Sequence, residues 1–218
     1  MSEQSILEGL SNAVQTFDPD KVMESTKKAL AAGVDPSVII EKGIAKGLKI
    51  VGKKFEDGEL FLMHLVAAAE PAQRAIKELL EPEMKKRKTE RKSAGKVVLG
   101  TVAGDIHDIG KNIVGAMLIA AGFDVYDIGK DMPAEEFLKK AKEVDANVVG
   151  ASALLSTSLP EQAAIVKAFK SANMREKVKL VFGGAPCTAD WVKEIGGDAY
   201  AENAVEGVNV IKQLLEVK

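Results

Sequence analysis

The sequence predicts two folded parts in series: an all-α four-helix bundle over residues 1–90, then an α/β domain with a five-stranded parallel sheet over 91–218. Three observations carry that reading. Up to about residue 84 apolar residues recur at helical spacing, whereas from 97 onward short β-branched runs alternate with helical segments. Between the two patterns, residues 85–96 (KKRKTERKSAGK) lose every large apolar side chain and crowd with cations. The length, 218 residues at 46 % hydrophobic composition, suits one large domain or two small ones.

In the first helix Ile6, Leu10, Ala13, Val14 and Phe17 fall on one face. Asp18-Pro19 reads as an N-cap with proline at the first helical position, and Gly33 as the stop of the second helix. Asp35-Pro36 repeats the start signal, and Ile39, Ile40, Ile44, Leu48, Val51 and Phe55 form the third apolar face. Asp57-Gly58 is a turn. The fourth helix runs from Leu60 to about Met84; Pro71 inside it is expected to kink it, because proline removes a backbone donor and crowds the preceding turn. Short connections make the neighbours antiparallel. The cationic run reads as a solvated helix end and linker (91–96), or alternatively as a patch that docks a partner. Limited proteolysis is expected to cut first between 85 and 96; first cuts within 110–200 would contradict the boundary.

In the second part, strands are expected at 97–102, 125–128, 148–154, 180–182 and 199–201, with helices at about 110–122, 133–144, 159–172, 188–195 and 204–217. This pattern makes a flavodoxin-like, Rossmann-type domain with strand order 2-1-3-4-5 and its switch point between strands one and three. Two loops then face each other there. One carries Asp105 and His107, the other Ser152, Ser156, Thr157 and Ser158.

Composition excludes several functions. A net charge of −2 and a pI near 5.9 lack the basic footprint of a nucleic-acid binder. No apolar run approaches the roughly 18 residues of a membrane span, and the polar, acidic N-terminus is unlike a signal peptide. Cys187 is the only cysteine, so no intramolecular disulfide forms, and a reducing cytoplasm is the expected setting. One cysteine and two histidines cannot build a structural zinc site of the usual kind.

Chemistry concentrates after the first strand, in Gly104-Asp105-Ile106-His107-Asp108-Ile109-Gly110. His107 reads either as a solvated loop histidine or as a ligand. Asp105 can hydrogen-bond one imidazole nitrogen, which fixes the tautomer and frees the other nitrogen for a metal. Zinc or iron wants more protein ligands than this loop offers, but one histidine suffices when a macrocycle supplies the remaining donors. Gly183-Gly184 is either an ordinary turn or a place where a ligand approaches the backbone closely. Ser152 and Leu154 alternate along the third strand and point the same way. Ala201-Glu202-Asn203-Ala204 is a helix cap or a third wall of the same slot. No phosphate-binding Gly-x-x-x-x-Gly-Lys-Ser/Thr or Gly-x-Gly-x-x-Gly occurs.

In that order and spacing, Asp105-Ile106-His107-Asp108-Ile109-Gly110 resembles the Asp-x-His-x-x-Gly motif of cobalamin-binding domains, Ser152-Ala153-Leu154 their Ser-x-Leu, and Gly183-Gly184 their Gly-Gly. The helical part, with Gly58-Glu59-Leu60-Phe61-Leu62, is similar to the cap module of methionine synthase and of methyltransferase corrinoid proteins. The whole chain looks most like the small corrinoid proteins of methylamine methyltransferase systems. The resemblance implies a bound cobalamin or related corrinoid, with its own base displaced and His107 as the lower cobalt ligand. Asp105 would pair with His107, and Ser158 would extend that relay. Gly104, Asp105, Ile106, Asp108 and Gly110 would contact the cofactor from the first loop. The displaced tail would enter the slot beside Ser152, Leu154, Ser156, Gly183 and Gly184, and then Ala201, Glu202 and Asn203.

The same resemblance implies a methyl carrier rather than a free-standing enzyme, with methylcobalamin as its loaded form. Its partners would be a substrate-specific methyltransferase, a corrinoid:coenzyme M or corrinoid:folate methyltransferase, and a reductive activation protein. The choice of methyl donor belongs to the first partner's pocket. The rivals are a cobalamin subunit of a mutase and a cobalamin-binding sensor. Opening of the cap is expected, with the linker containing Gly95 as hinge. Met63, followed by His64, stands where relatives often carry proline; His64 reads as a partly exposed helix residue without a ligand role. Phe61, Leu62, Leu65 and Val66 either cover the upper corrin face or belong to the bundle core. Cys187 reads as a small buried residue.

Overall fold

The computed structural model describes residues 2–87 and 93–217. The chain forms two compact units, the first running to Ser93 and the second starting at Ala94.

In the first unit, local capping sets where helices begin. Ser2 accepts the N–H of Ser5 and opens α1 (Glu3–Val14). Phe17 lies past the end of α1 rather than on its face, in the left-handed region at φ 61. The carboxylate of Asp18 accepts the N–H groups of Asp20 and Lys21 and opens α2 (Pro19–Ala31). Asp35 does the same for α3 (residues 36–56), accepting the N–H of Ser37 at 2.8 Å. Leu10, Val14, Ile44, Leu48, Leu65 and Ala72 are buried and form the core of this unit.

Within α3, Ile39–Ala45 winds as a π-helix, which sequence periodicity does not reveal. Its cause is the spacing of the buried pairs Ile39-Ile40, Gly43-Ile44 and Gly47-Leu48. A four-residue repeat exceeds the 3.6 of an α-helix, and a wider turn absorbs the excess. The two glycines allow close approach to α1: a Cβ at Gly43 would stand 2.7 Å from Leu10 Cδ2, and one at Gly47 2.7 Å from the carbonyl oxygen of Ser11.

The fourth helix, α4 (residues 62–87), begins two residues later than expected. Phe61 is its N-cap, and its N–H donates to His64 Nδ1 at 3.0 Å. His64 thus satisfies a helix terminus. Phe61 is exposed and Leu65 buried, which splits the apolar set of the sequence reading between surface and core. The α-helical stretch Leu62–Ala75 continues through Pro71; the irregular turn comes later, at the π-helical Ile76–Leu80.

The cationic residues 88–92 lie outside the described residues. Lys96, read as linker, is the first residue of β1, and its N–H donates to Asn147 Oδ1 at 2.8 Å. Gly95, expected as a hinge, belongs to the second unit. Its carbonyl accepts the N–H of Asp124 at 2.9 Å, and a Cβ there would meet Leu215 at 2.8 Å.

The second unit alternates strand and helix: β1 (Lys96–Thr101), α5 (Ile109–Ala120), β2 (Asp124–Asp127), α6 (Ala134–Val144), β3 (Val148–Ser152), α7 (Pro160–Ser171), β4 (Lys179–Gly183), α8 (Ala189–Ile195), β5 (Ala199–Ala201) and α9 (Ala204–Leu214). The sheet is parallel in the order β2-β1-β3-β4-β5, with the switch point where the sequence put it. Val98, Val149, Leu180 and Phe182 are fully buried, as expected of strands covered by helices on both faces. Thr101 pairs with Ser152, Ser152 with Gly183 and Gly183 with Ala201, so one row of small residues crosses the C-terminal edge of four strands. That edge is where ligands sit in such sheets. Among the described residues no helix is long and apolar enough to cross a membrane.

Candidate functional site

The loop after β1 is built around one carboxylate. Asp105 is fully buried, and a buried carboxylate needs donors. It has five. Oδ1 accepts the backbone N–H of His107 at 3.0 Å and its ring Nδ1 at 2.8 Å. Oδ2 accepts the N–H groups of Leu154 at 2.6 Å and Leu155 at 3.1 Å, and the Ser158 hydroxyl at 2.9 Å. Burial works to raise its pKa. The backbone and ring of His107, the N–H of Leu154 and the hydroxyl of Ser158 outweigh burial and hold the carboxyl well below the usual range.

An ionised carboxylate only accepts, so Nδ1 of His107 carries a proton, and in the neutral form of the ring Nε2 holds the lone pair. The His107 side chain is 49 % exposed, and Nε2 has no hydrogen-bond partner among the described residues. The carbonyl of His107 accepts the Thr101 hydroxyl at 3.0 Å, which ties the loop to the end of β1. The result is an imidazole held through Nδ1, with Nε2 left for a metal, the arrangement of a metal ligand. Among the described residues no cluster of three or more His, Cys, Asp or Glu could hold a metal by itself.

Beside this loop a cleft of about 770 Å³ opens along the C-terminal edge of the sheet. Ile106, His107, Asp108 and Gly110 line it on one side. Ser152, Leu154, Gly183 and Gly184 line it in the middle, and Ala201, Glu202 and Asn203 on the other side. Its buried walls are apolar, from Leu99, Val181 and Ile211. Ile106, Ile109 and Leu154 remain exposed at its mouth, an apolar collar of the kind that marks a ligand groove. Gly184 is obligatory: its φ is 117, and a Cβ would stand 1.8 Å from the carbonyl oxygen of Ala153. Asn203 serves in two ways, capping α9 by accepting the N–H of Glu206 at 3.0 Å while lining the cleft.

Three residues expected at the cofactor do not line the cleft: Asp105, buried behind His107, and two others. Gly104 turns the chain at φ 75 with its N–H donated to Asp131 Oδ1 at 2.7 Å. Ser156 is exposed in the turn after β3, as is Thr157. That turn comes early because β3 ends at Ser152 rather than 154: the N–H groups of Leu154 and Leu155 leave the ladder for Asp105.

The structure also adds residues that the motifs did not single out. Lys111, 4 % exposed, pairs with Asp127 and with Asn112 Oδ1 and lines the cleft. Gln162 is fully buried. It donates to the carbonyls of Gly183 at 3.0 Å and Ala151 at 3.3 Å, and accepts from Trp191 Nε1 at 3.0 Å and Cys187 Sγ at 3.4 Å. Its signal was present: it shares helical spacing with the buried Ile165, Val166 and Phe169. Burial pushes the Cys187 thiol up to about 11, which leaves it unreactive at neutral pH.

Known proteins resemble this chain over both units. A family described as a B12 binding domain matches residues 95–209, and a second of the same description matches residues 6–80. The chain is 46 % identical to trimethylamine corrinoid protein 1 of Methanosarcina acetivorans, over 98 % of this chain and 99 % of that one. It is 47 % identical to dimethylamine corrinoid protein 1 of Methanosarcina mazei, over 98 % of each. Among solved structures it is similar to the methanol:cobalamin methyltransferase complex of Methanosarcina barkeri, with a TM-score of 0.84 at 26 % identity, covering 98 % of this chain and 81 % of that one. The full-length matches cover both units, and the chain belongs to the B12-binding family of corrinoid methyl-carrier proteins.

Proposed function

We propose that the chain holds a corrinoid at the cleft and carries a methyl group on it from a substrate-specific methyltransferase to a second methyltransferase. The observation that carries this reading is the Asp105–His107 pair, with Nε2 open beside the cleft. When bound, the corrinoid supplies the metal centre that accepts and gives up the methyl group. Everything else falls to the chain. His107 Nε2 would hold the cobalt. Asp105 keeps the proton on Nδ1 and so keeps Nε2 a donor of electrons. The Ser158 hydroxyl lies 2.9 Å from Asp105 and 3.0 Å from the carbonyl of Leu155 and can turn its proton between them, ending the relay. The exposed Ile106, Ile109 and Leu154 would pack against the macrocycle and exclude water from it. The apolar cleft would receive the displaced tail.

Relatives named for trimethylamine and dimethylamine support a methylated amine as the donor class. The relative solved as a methanol:cobalamin methyltransferase complex supports a methyltransferase as the first partner. The acceptor enzyme acts on coenzyme M or a folate, and a reductive activation protein restores the cofactor after oxidation. A mutase subunit or a sensor has no observation in its favour, since the helical unit is shared with full-length corrinoid proteins.

Loaded with methylcobalamin, the protein is expected to lose its methyl group to coenzyme M or to tetrahydrofolate when the matching methyltransferase is added. Retention of the methyl group against both acceptors would overturn carriage. The tail cleft has its own test at Gly207 of α9, which lines it and has ordinary van der Waals room for a Cβ, 3.5 Å from Ala201 Cβ. Gly207→Ala is therefore tolerated, whereas Gly207→Leu fills the cleft. The leucine variant is expected to lose cobalamin on gel filtration but keep cobinamide, which lacks the nucleotide tail.

A further inference from the structure

The connection between β2 and α6 contributes no residue to the cleft among the described residues, yet it grips the His107 loop at three points. Asp131 does so twice. Its N–H donates to the carbonyl of Asp105 at 2.9 Å, and its Oδ1 accepts the N–H of Gly104 at 2.7 Å. It holds this position at φ 57, a left-handed conformation that costs any residue other than glycine and is best borne by Asp and Asn. Lys130 reaches Asp108 at 3.8 Å, at the other end of the loop. Asp127, the last residue of β2, pairs with the buried ammonium of Lys111 in the first turn of α5. The connection is itself moored to β1: Gly129 accepts the N–H of Thr101 at 2.9 Å, and Met132 donates to the carbonyl of Thr101 at 3.0 Å. The loop holds itself by few backbone bonds, such as Asp105 N–H to the carbonyl of Val102 at 3.2 Å.

We propose that the β2–α6 connection is a clasp for the cobalt ligand, and that Asp131 is its central positioning residue, fixing the Gly104–Asp105 peptide and through it the carboxylate that orients His107. The inference rests on the corrinoid reading above but goes beyond it, because none of the cofactor-binding motifs contains residues 127–132. Asp131 touches no ligand; it acts through Asp105.

Two variants separate positioning from mere stability. Asp131→Gly removes the Oδ1 acceptor while freeing the backbone to hold φ 57, so the fold is retained. Asp131→Asn keeps both the acceptor and the tolerance of the left-handed region. The probe is cob(II)inamide, a corrinoid without a lower base, bound to the full chain and read by electron paramagnetic resonance. Wild type is expected to show the nitrogen splitting of an axial imidazole. Asp131→Gly is expected to lose a large part of that nitrogen-bound signal and to bind cob(II)inamide about tenfold more weakly, at the lower edge of the 10–100-fold seen for groups behind a metal ligand. Asp131→Asn is expected to restore both. Amide exchange at Gly104 in the unloaded protein, faster in Asp131→Gly, gives a second reading that needs no cofactor. A glycine variant with wild-type splitting and affinity overturns the clasp while leaving His107 ligation standing. A wild type without nitrogen splitting overturns the ligation and the clasp together.

Discussion

Replacing His107 with alanine is expected to leave a protein that still takes up cobalamin but shows no axial protein nitrogen on the metal. Two interactions hold the cofactor in the proposed function, a bond from Nε2 and burial of the tail in a cleft of about 770 Å³, and the substitution removes only the first. Affinity should fall by at least about tenfold, since loss of a ligand outweighs loss of a group behind one. Folding should change little: the side chain is 49 % exposed, and Asp105 keeps the backbone N–H of residue 107, those of Leu154 and Leu155 and the Ser158 hydroxyl. The absorption spectrum of the oxidised cofactor and the paramagnetic resonance of the cobalt(II) form check the result. Spectra identical to wild type with a corrinoid that has no lower base would remove His107 from the metal.

Asp105→Asn should reach further, although the shape of the side chain hardly changes. All five groups around the carboxylate are donors, and an amide offers only one oxygen to accept them. With the oxygen kept toward Leu154, Leu155 and Ser158, the amide nitrogen faces His107. The imidazole then gains by moving its proton from Nδ1 to Nε2, which closes the nitrogen meant for cobalt. The variant is expected to lose axial ligation with the histidine still in place and to weaken cofactor binding about 10–100-fold. The backbone N–H of His107 is left unpaired, a loss of about 1–3 kcal/mol of stability. Nitrogen-15 NMR of the imidazole distinguishes the two tautomers directly. An unchanged Nδ1–H tautomer would sink the argument. Wild type also has a pH signature. Its folded carboxyl sits below the unfolded value of about 3.9, so the stabilisation is complete above that pH and is lost as the pH falls through the folded value.

Much of this architecture is local, and local features are legible in a sequence. Asp18-Pro19 and Asp35-Pro36 start helices by contacts within three residues, so the sequence reading and the structure coincide there. The five strands stand out because each is a short apolar run between helical segments, and their order follows from the parallel fold class. Features set by distant partners were not legible. The four-residue repeat behind the π-turn in α3 shows only once burial is known, because Gly43 and Gly47 are buried against Leu10 and Ser11 of another helix. The end of β3 depends on a carboxylate some fifty residues earlier, so strand propensity carried the expected strand two residues too far. Asp105, His107, Ser152, Leu154, Ser158, Gly183 and Gly184 stand out in the sequence because their motifs are compact, and the structure brings them together at the cleft and its loop. Ser156 was placed at the cofactor by proximity in sequence, but the turn carries it to the surface. Asp131 gave no sign, because nothing before folding tells an exposed loop aspartate from one that holds its neighbour's backbone.

The reach of Asp105 across the fold has a further consequence, for the order of events in a newly made chain. Its partners Leu154, Leu155 and Ser158 lie 49, 50 and 53 residues downstream, and they meet it only once β1 and β3 are side by side. Before that docking the carboxylate is hydrated and the imidazole exchanges freely between its two neutral forms. A ribosome-bound chain that has emerged only as far as residue 150 thus has the histidine but not the fixed tautomer. In the proposed function, capture of the cofactor through Nε2 would then wait for the central strand pair to close.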